Sequence, residues 1–208
     1  MHEKIVYVDI LKAAWKGFKS QCWLLMGLLI GFTIVFSLLW LFAFPAKDET
    51  VSISGIIVAF ISFLLYCIFY MGYVKNSLQT LDGDEPQFSA YGQVSRKLPS
   101  FIPAHLIYAA VVAIGCALLV FPGLYLAVRL QFFYASMVDE DTGLVDSFKR
   151  SWNITKGHGK RLFVLMLCYL LIIITGLVAA GIGIFAAVPL IILMYGHAYR
   201  KLIAPASP

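Results

Sequence analysis

The sequence predicts an all-α integral membrane protein with six transmembrane helices in three hairpins, each preceded by an interfacial helix on the cytoplasmic side. The chain of 208 residues is 61% apolar and only 13% charged, with a mean hydropathy of +0.87, which excludes an ordinary soluble domain. Every Lys and Arg except Lys47 and Arg129 lies in a segment that alternating membrane crossings would leave on one side. By the positive-inside rule, both ends of the chain are then cytoplasmic.

The first four spans are assigned from apolar runs of about 20 residues, the length that crosses the hydrocarbon core. Their approximate limits are 22–44, 53–73, 102–121 and 122–138. A polar turn around Lys47 separates the first two spans. Pro122-Gly123 is expected to form the outer turn between the third and the fourth.

The last apolar run extends from Leu162 to Tyr199 and contains no charged residue. Basic residues flank it at both ends, Lys160-Arg161 and Arg200-Lys201, so it must cross the membrane an even number of times. At about 1.5 Å per residue the run is about 57 Å long, which is enough for two crossings. We expect the chain to reverse near three glycines: Gly176, Gly181 and Gly183.

An amphipathic segment with basic residues and a tryptophan precedes the first span, and a similar segment precedes the fifth. Such a pattern is typical of a helix that lies in the headgroup region of the membrane. The two segments match at identical spacing, with Lys12, Trp15 and Lys19 in the first and Lys149, Trp152 and Lys156 in the second. Before the third span the match is weaker: Glu85 and Tyr91 have the same spacing as the acid and the tryptophan of the other two segments, but the lysines are missing. The sequence therefore predicts one membrane domain of three parallel repeat units, at about 5–75, 84–140 and 143–202.

Arg129 is the only charged residue predicted to lie inside a span. No Asp or Glu lies in any span, so its guanidinium must be satisfied by carbonyls, hydroxyls, water, a partner subunit or an anionic ligand. We expect the side chain to face the bundle interior or a wet cavity and to be capped by neighbouring groups, including Gln131 and Tyr125. These three residues are the candidate ligand- or lipid-binding site. The alternative is a structural arginine that extends toward the outer interface.

Other residue patterns predict no catalytic, metal or cofactor site. Asp139-Glu140-Asp141 crowd the end of the fourth span, where the helix dipole disfavours acids, so we expect either a solvated helix end or partners on the basic interfacial helices. No Cys or His is spaced to join them in binding a metal. The excess of basic residues flanks apolar runs, which favours anionic lipid headgroups over nucleic acid as partners.

Three segments carry a family resemblance: Pro122 to Arg129, Val138-Asp139-Glu140 and Ser147 to Gly157. In these segments the chain resembles the YciC-like bacterial six-span inner-membrane proteins and the related membrane domain attached to some glycerophosphodiester phosphodiesterases. The resemblance implies a six-span fold in the bacterial inner (plasma) membrane. It does not imply phosphodiesterase activity, because the catalytic barrel needs far more soluble chain.

Taken together, these features favour a non-enzymatic inner-membrane protein that binds or moves a lipid or another amphiphile. The expected partners are membrane lipids, with anionic headgroups on the cytoplasmic side. The alternative is an accessory or assembly subunit of a larger membrane complex, which would bind a membrane protein partner or form a homo-oligomer. An enzyme is the third possibility.

Overall fold

The structure, a computed structural model, describes residues 6–43, 53–179 and 181–204. In these ranges the chain forms nine α-helices and no β-strand. Four of them (α1, α2, α4 and α8) are long and apolar enough to cross a membrane, which confirms the all-α membrane class. The helices are α1 (Tyr7–Ala43), α2 (Ile53–Asp82), α3 (Ser89–Ser95), α4 (Leu98–Leu118), α5 (Val120–Leu130), α6 (Phe133–Asp139), α7 (Leu144–Ile154), α8 (Gly159–Val178) and α9 (Ile184–Ile203).

Helix α1 contains two helical segments that meet at a kink. Gln21 has non-helical dihedral angles (φ −130°, ψ 20°) and separates the amphipathic segment from the apolar one. The kink thus lies directly before residue 22, where the first span was predicted to begin. The amphipathic segment buries Ile10 and Ala14 in the bundle and leaves Val8 and Trp15 exposed. The predicted end of this span, the turn around Lys47 and residue 5 lie outside the described residues.

Helix α2 continues to Asp82, beyond the end predicted at residue 73. Three polar residues of its last turns, Asn76, Ser77 and Thr80, are buried rather than solvated. The hydroxyls of Ser77 and Thr80 donate to the carbonyls of Tyr73 and Asn76, so they stay satisfied inside the helix. The helix ends only before Gly83, which has a positive φ of 94°.

The turn between α4 and α5 lies at Leu119, not at Pro122-Gly123 as predicted. Leu119 is extended (φ −161°, ψ 135°), whereas Pro122 lies in the first turn of α5, where its missing N–H costs no hydrogen bond. Gly123 allows the close approach of the two helices. A Cβ at this position would lie 2.2 Å from Sγ of Cys116 and 2.5 Å from its backbone nitrogen.

The predicted fourth span is not one continuous helix. It consists of α5 and α6, with a break at Gln131 and Phe132. The last apolar run forms two helices, α8 and α9, as its length and flanking charges predicted. Their reversal includes Gly181 (φ 75°), and the backbone of Gly183 packs against that of Gly176.

Two apolar clusters form the core, and both include α2. The first joins α1, α2, α8 and α9 through residues such as Ile10, Leu25, Tyr73, Leu165 and Tyr199. The second joins α2, α4 and α6 through residues such as Cys67, Met71, Phe101, Phe133 and Met137. Arg200 connects the ends of α2, α6 and α9, because it contacts both Asp82 (2.5 Å) and Asp139 (2.6 Å). We call this region the charged end of the bundle.

Candidate functional site around Arg129

Arg129 lies in the last turn of α5 and is only 5% exposed. Its guanidinium carbon is 4.2 Å from the centroid of the Trp152 ring on α7 and 5.9 Å from that of Tyr125. The two rings meet edge to face at 6.0 Å. The prediction that Arg129 faces the bundle interior is confirmed. Tyr125 contributes its ring to the site.

The guanidinium is not capped by the amide that the sequence suggested. The side-chain amide of Gln131 donates to the carbonyl of Val128 (3.0 Å), so the expectation that Gln131 would cap the guanidinium is wrong. Nε of Arg129 is buried and has no hydrogen-bond partner among the described residues. Attraction between the cation and the π-electrons of Trp152 therefore takes the place of the expected oxygen contact.

The break after Arg129 exposes backbone groups that a continuous helix would satisfy. Ser151 on α7 satisfies two of them, since its hydroxyl accepts from the N–H of Phe132 (3.1 Å) and donates to the carbonyl of Arg129 (2.9 Å). The hydroxyl of Thr155 lies 3.1 Å from this carbonyl oxygen, but its shortest hydrogen bond is the one to the carbonyl of Ser151 (2.8 Å). A buried helix break needs such substitute partners, because an unpaired backbone group away from water costs free energy comparable to a lost hydrogen bond.

Tyr195 on α9 satisfies the other side of the break. Its hydroxyl donates to the carbonyl of Gln131 (3.0 Å) and accepts from the N–H of Ala135 (3.2 Å). Together with Ser151 and Thr155 it lines the break and gives its backbone groups hydrogen-bond partners. None of these three residues was predicted as part of the site. The signal that could have revealed two of them is the spacing of Ser147, Ser151 and Thr155, which places three hydroxyls on one helix face.

The basic residues predicted for the interfacial helices are all exposed. Lys12 and Lys19 lie on α1, Lys149 lies on α7, and Lys156 lies in the turn after α7. The two matching tryptophans, Trp15 and Trp152, form cation–π contacts with different kinds of partner. Nζ of Lys19 lies 5.5 Å from the ring centroid of Trp15, one turn away on the same helix. The ring of Trp152 contacts the guanidinium of Arg129, which lies on another helix. The shared spacing thus does not produce the same contact in both segments.

The three acids after α6 each pair with a basic residue from a different part of the chain. Asp139 pairs with Arg200 (2.6 Å), Glu140 with Arg150 on α7 (2.9 Å), and Asp141 with Lys97 (2.5 Å). Of the two alternatives, basic partners are present, although only Arg150 comes from a predicted interfacial helix and the side chain of Asp141 is 85% exposed. Within the described ranges, no group of three His, Cys, Asp or Glu is placed to hold a metal ion.

Glu140 receives a second hydrogen bond, from the hydroxyl of Tyr199 (2.8 Å). Burial raises the pKa of the Glu140 carboxyl, but the hydrogen bonds from Arg150 and Tyr199 outweigh this effect. The pKa therefore lies below its ordinary value. This carboxylate connects α7 and α9 and fixes the helix that carries Trp152.

Comparison with known proteins gives one match. Residues 86–207 match a family model described as a domain of unknown function (DUF7847). The matched region includes Arg129, Trp152, Ser151 and Tyr195. No curated protein and no solved structure matches the chain.

Proposed function

The chain belongs to the family of the DUF7847 domain, and we propose that this member is a non-enzymatic inner-membrane protein that binds or moves an anionic lipid or a similar amphiphile. The observation that carries the proposal is the state of Arg129. It is a buried cation that contacts aromatic rings, and none of the ion pairs between described residues involves it. The resemblance to YciC-like proteins agrees with this proposal and stays a prediction.

The charge balance around Arg129 favours an anion from outside the chain. The nearest acids in sequence, Asp139, Glu140 and Asp141, are each engaged by another cation. A cation inside a membrane protein is costly unless it is paired, and stacking on an aromatic ring offsets only part of that cost. The phosphate of a lipid would supply the missing negative charge, since guanidinium groups bind phosphate through strong charge-assisted hydrogen bonds.

The proposal includes six spans in three repeat units, with both ends in the cytoplasm. Buried residues support it, because they occur at matching positions of the three units. They are Ile10, Ala14, Phe18 and Leu25 in the first unit, Pro86, Ala90, Val94 and Phe101 in the second, and Ser147, Ser151, Thr155 and Leu162 in the third.

The backbone supports the same correspondence. Gln21, Lys97 and His158 occupy matching positions between the amphipathic helix and the long helix of each unit. Their dihedral angles are similar, with φ of −130°, −91° and −109° and ψ of 20°, −4° and 5°. In addition, α3 packs on α2, α7 packs on α6 and α1 packs on α9. Each amphipathic helix thus contacts the second half of another hairpin, as a closed ring of three units requires.

The test of the lipid proposal is lipid retention after purification. Native mass spectrometry of the wild-type protein in mild detergent is expected to show bound anionic phospholipid. Arg129→Gln should lose this lipid, whereas Arg129→Lys, which keeps the charge, should retain part of it. Lys149→Gln is the matched control, because it removes an exposed charge from α7.

Two other outcomes contradict the proposal. If Arg129→Gln lowers thermal stability but leaves lipid retention unchanged, Arg129 is structural. If the wild-type protein purifies without lipid but with a fixed membrane protein partner, it is an accessory or assembly subunit.

A further inference from the structure

A second cluster of cations lies at the charged end of the bundle, away from Arg129. It lines a cavity of about 480 Å³ between α2, the α3–α4 junction and the end of α6. The residues that give the cavity its polarity are Lys75, Gln93, Arg96, Lys97, Asp139 and Asp141. They come from three segments of the chain, so the cavity exists only in the folded protein.

The acids in this cavity do not neutralise its cations. Asp139 is held by Arg200, which does not line the cavity. Asp141 pairs with Lys97, but its side chain is 85% exposed, and ion pairs this exposed are weak. Lys75 donates to the neutral amide of Gln93, and Arg96 makes no ion pair with any described residue. Two cations therefore face the cavity without a carboxylate of their own.

The loop after α6 places Asp141 where it competes for these cations. Asp141 has a positive φ of 57°, which is uncommon for a residue other than glycine, and this backbone conformation directs the carboxylate to Lys97. Nζ of Lys97 also donates to the carbonyl of Met137 (2.7 Å). The pKa of Asp141 is lowered first by Lys97 and, to a smaller extent, by Lys75. Both lysines thus act on one position that an anion can occupy.

We propose that this cavity binds a phosphate group through Lys75, Arg96 and Lys97. An arginine forms paired hydrogen bonds to phosphate oxygens, and the two lysines add point charges. The charged end lies at the ends of long apolar helices, which is the level of lipid headgroups. The phosphate can therefore belong to a headgroup or to a free phosphorylated molecule. The inference does not depend on the role proposed for Arg129.

Two binding measurements test the proposal and separate the two sources. The first measures the affinity of purified protein in nanodiscs for phosphatidic acid in a phosphatidylcholine background. The second measures the thermal shift of detergent-purified protein with inorganic phosphate. Binding in the first alone identifies a headgroup site, and binding in both identifies a site for phosphate in general. Binding in neither overturns the proposal.

Variants assign the binding to this cavity. Lys75→Gln with Arg96→Gln should weaken binding by about tenfold or more, the effect of losing one charge-assisted hydrogen bond. Asp141→Asn should strengthen binding, because it removes the competing carboxylate. If the double variant does not fold, the single variant Arg96→Gln replaces it, because Arg96 is exposed and its substitution should not disturb the fold. Lys149→Gln, which removes an exposed charge from α7, should keep wild-type affinity, and equal affinity in all variants would place the site elsewhere.

Discussion

The guanidinium of Arg129 stacks on the indole of Trp152, at 4.2 Å from the ring centroid. This contact joins α5 to α7 and makes a predicted surface tryptophan the partner of a buried cation. It also explains how the chain holds a charge that none of its described carboxylates neutralises. The stack leaves Nε of the guanidinium without a hydrogen-bond partner among the described residues, which is the basis of the lipid proposal.

Removing the aromatic face is expected to destabilise the protein. Trp152→Leu should cost about 1–2 kcal/mol, between the contributions of exposed and desolvated cation–π pairs, because Arg129 is buried whereas Trp152 is 39% exposed. The measurement is a lower midpoint of thermal unfolding in detergent. Trp15→Leu is the matched control, because its partner Lys19 is exposed and such pairs contribute about 0.5–1 kcal/mol. Equal effects of the two substitutions would contradict the role of the Arg129 stack.

The hydroxyl of Ser151 is expected to hold the helix break together. Ser151→Ala leaves the N–H of Phe132 without its acceptor, at a cost of about 1–3 kcal/mol for a buried unsatisfied group. Thr155→Val should cost less, since the carbonyl of Arg129 keeps its bond from Ser151. Ser95→Ala, whose exposed hydroxyl contacts only its own helix, should leave the unfolding midpoint unchanged. A midpoint for Ser151→Ala equal to that of wild type would show that the break has other support.

Gly123 is expected to tolerate no side chain. Gly123→Ala places a Cβ 2.5 Å from the backbone nitrogen of Cys116, so the two helices must separate, at a cost of about 1–3 kcal/mol. Gly27→Ala is the control, because no atom lies within 4 Å of its added Cβ. Thermal unfolding of both variants checks the prediction. It is wrong if the two alanine variants are equally stable.

The bonds of Glu140 predict a dependence of stability on pH. Its pKa is lower in the folded protein than the value of about 4.3 in an unfolded chain. A lowered folded pKa means that the stabilisation is complete above about pH 5 and is lost as the pH falls through the folded value. Unfolding measured from pH 7 to pH 3 should show this loss. Glu140→Gln should reduce the slope, and an unchanged slope would exclude Glu140 as its source.

The proposed topology predicts which segments an external protease can cleave. Tags at Met1 and Pro208 should be protected in intact cells, whereas a tag at Lys47 should be cleaved. Disruption of the membrane, which should expose the terminal tags, is the control for cleavability. Cleavage of the Pro208 tag in intact cells would contradict the six-span count.

The sequence by itself determined the class of the protein and the approximate position of the four helices that are long and apolar enough to cross a membrane. Span assignment depends on local quantities, namely the length of an uncharged run and the charges at its ends. Lys160-Arg161 and Arg200-Lys201 were therefore enough to predict two helices between Leu162 and Tyr199. The burial of Arg129 also followed from the sequence. Exposing a guanidinium to lipid costs free energy, and this cost does not depend on which residues surround it.

Only the tertiary structure decided what surrounds that arginine. The break between α5 and α6 depends on hydroxyls from α7 and α9, and the stack depends on a tryptophan from another helix. The extension of α2 to Asp82 depends in the same way on the burial of its polar last turns. These contacts join residues that are far apart along the chain. Local composition does not encode them, because the energy of each one depends on which helices pack together.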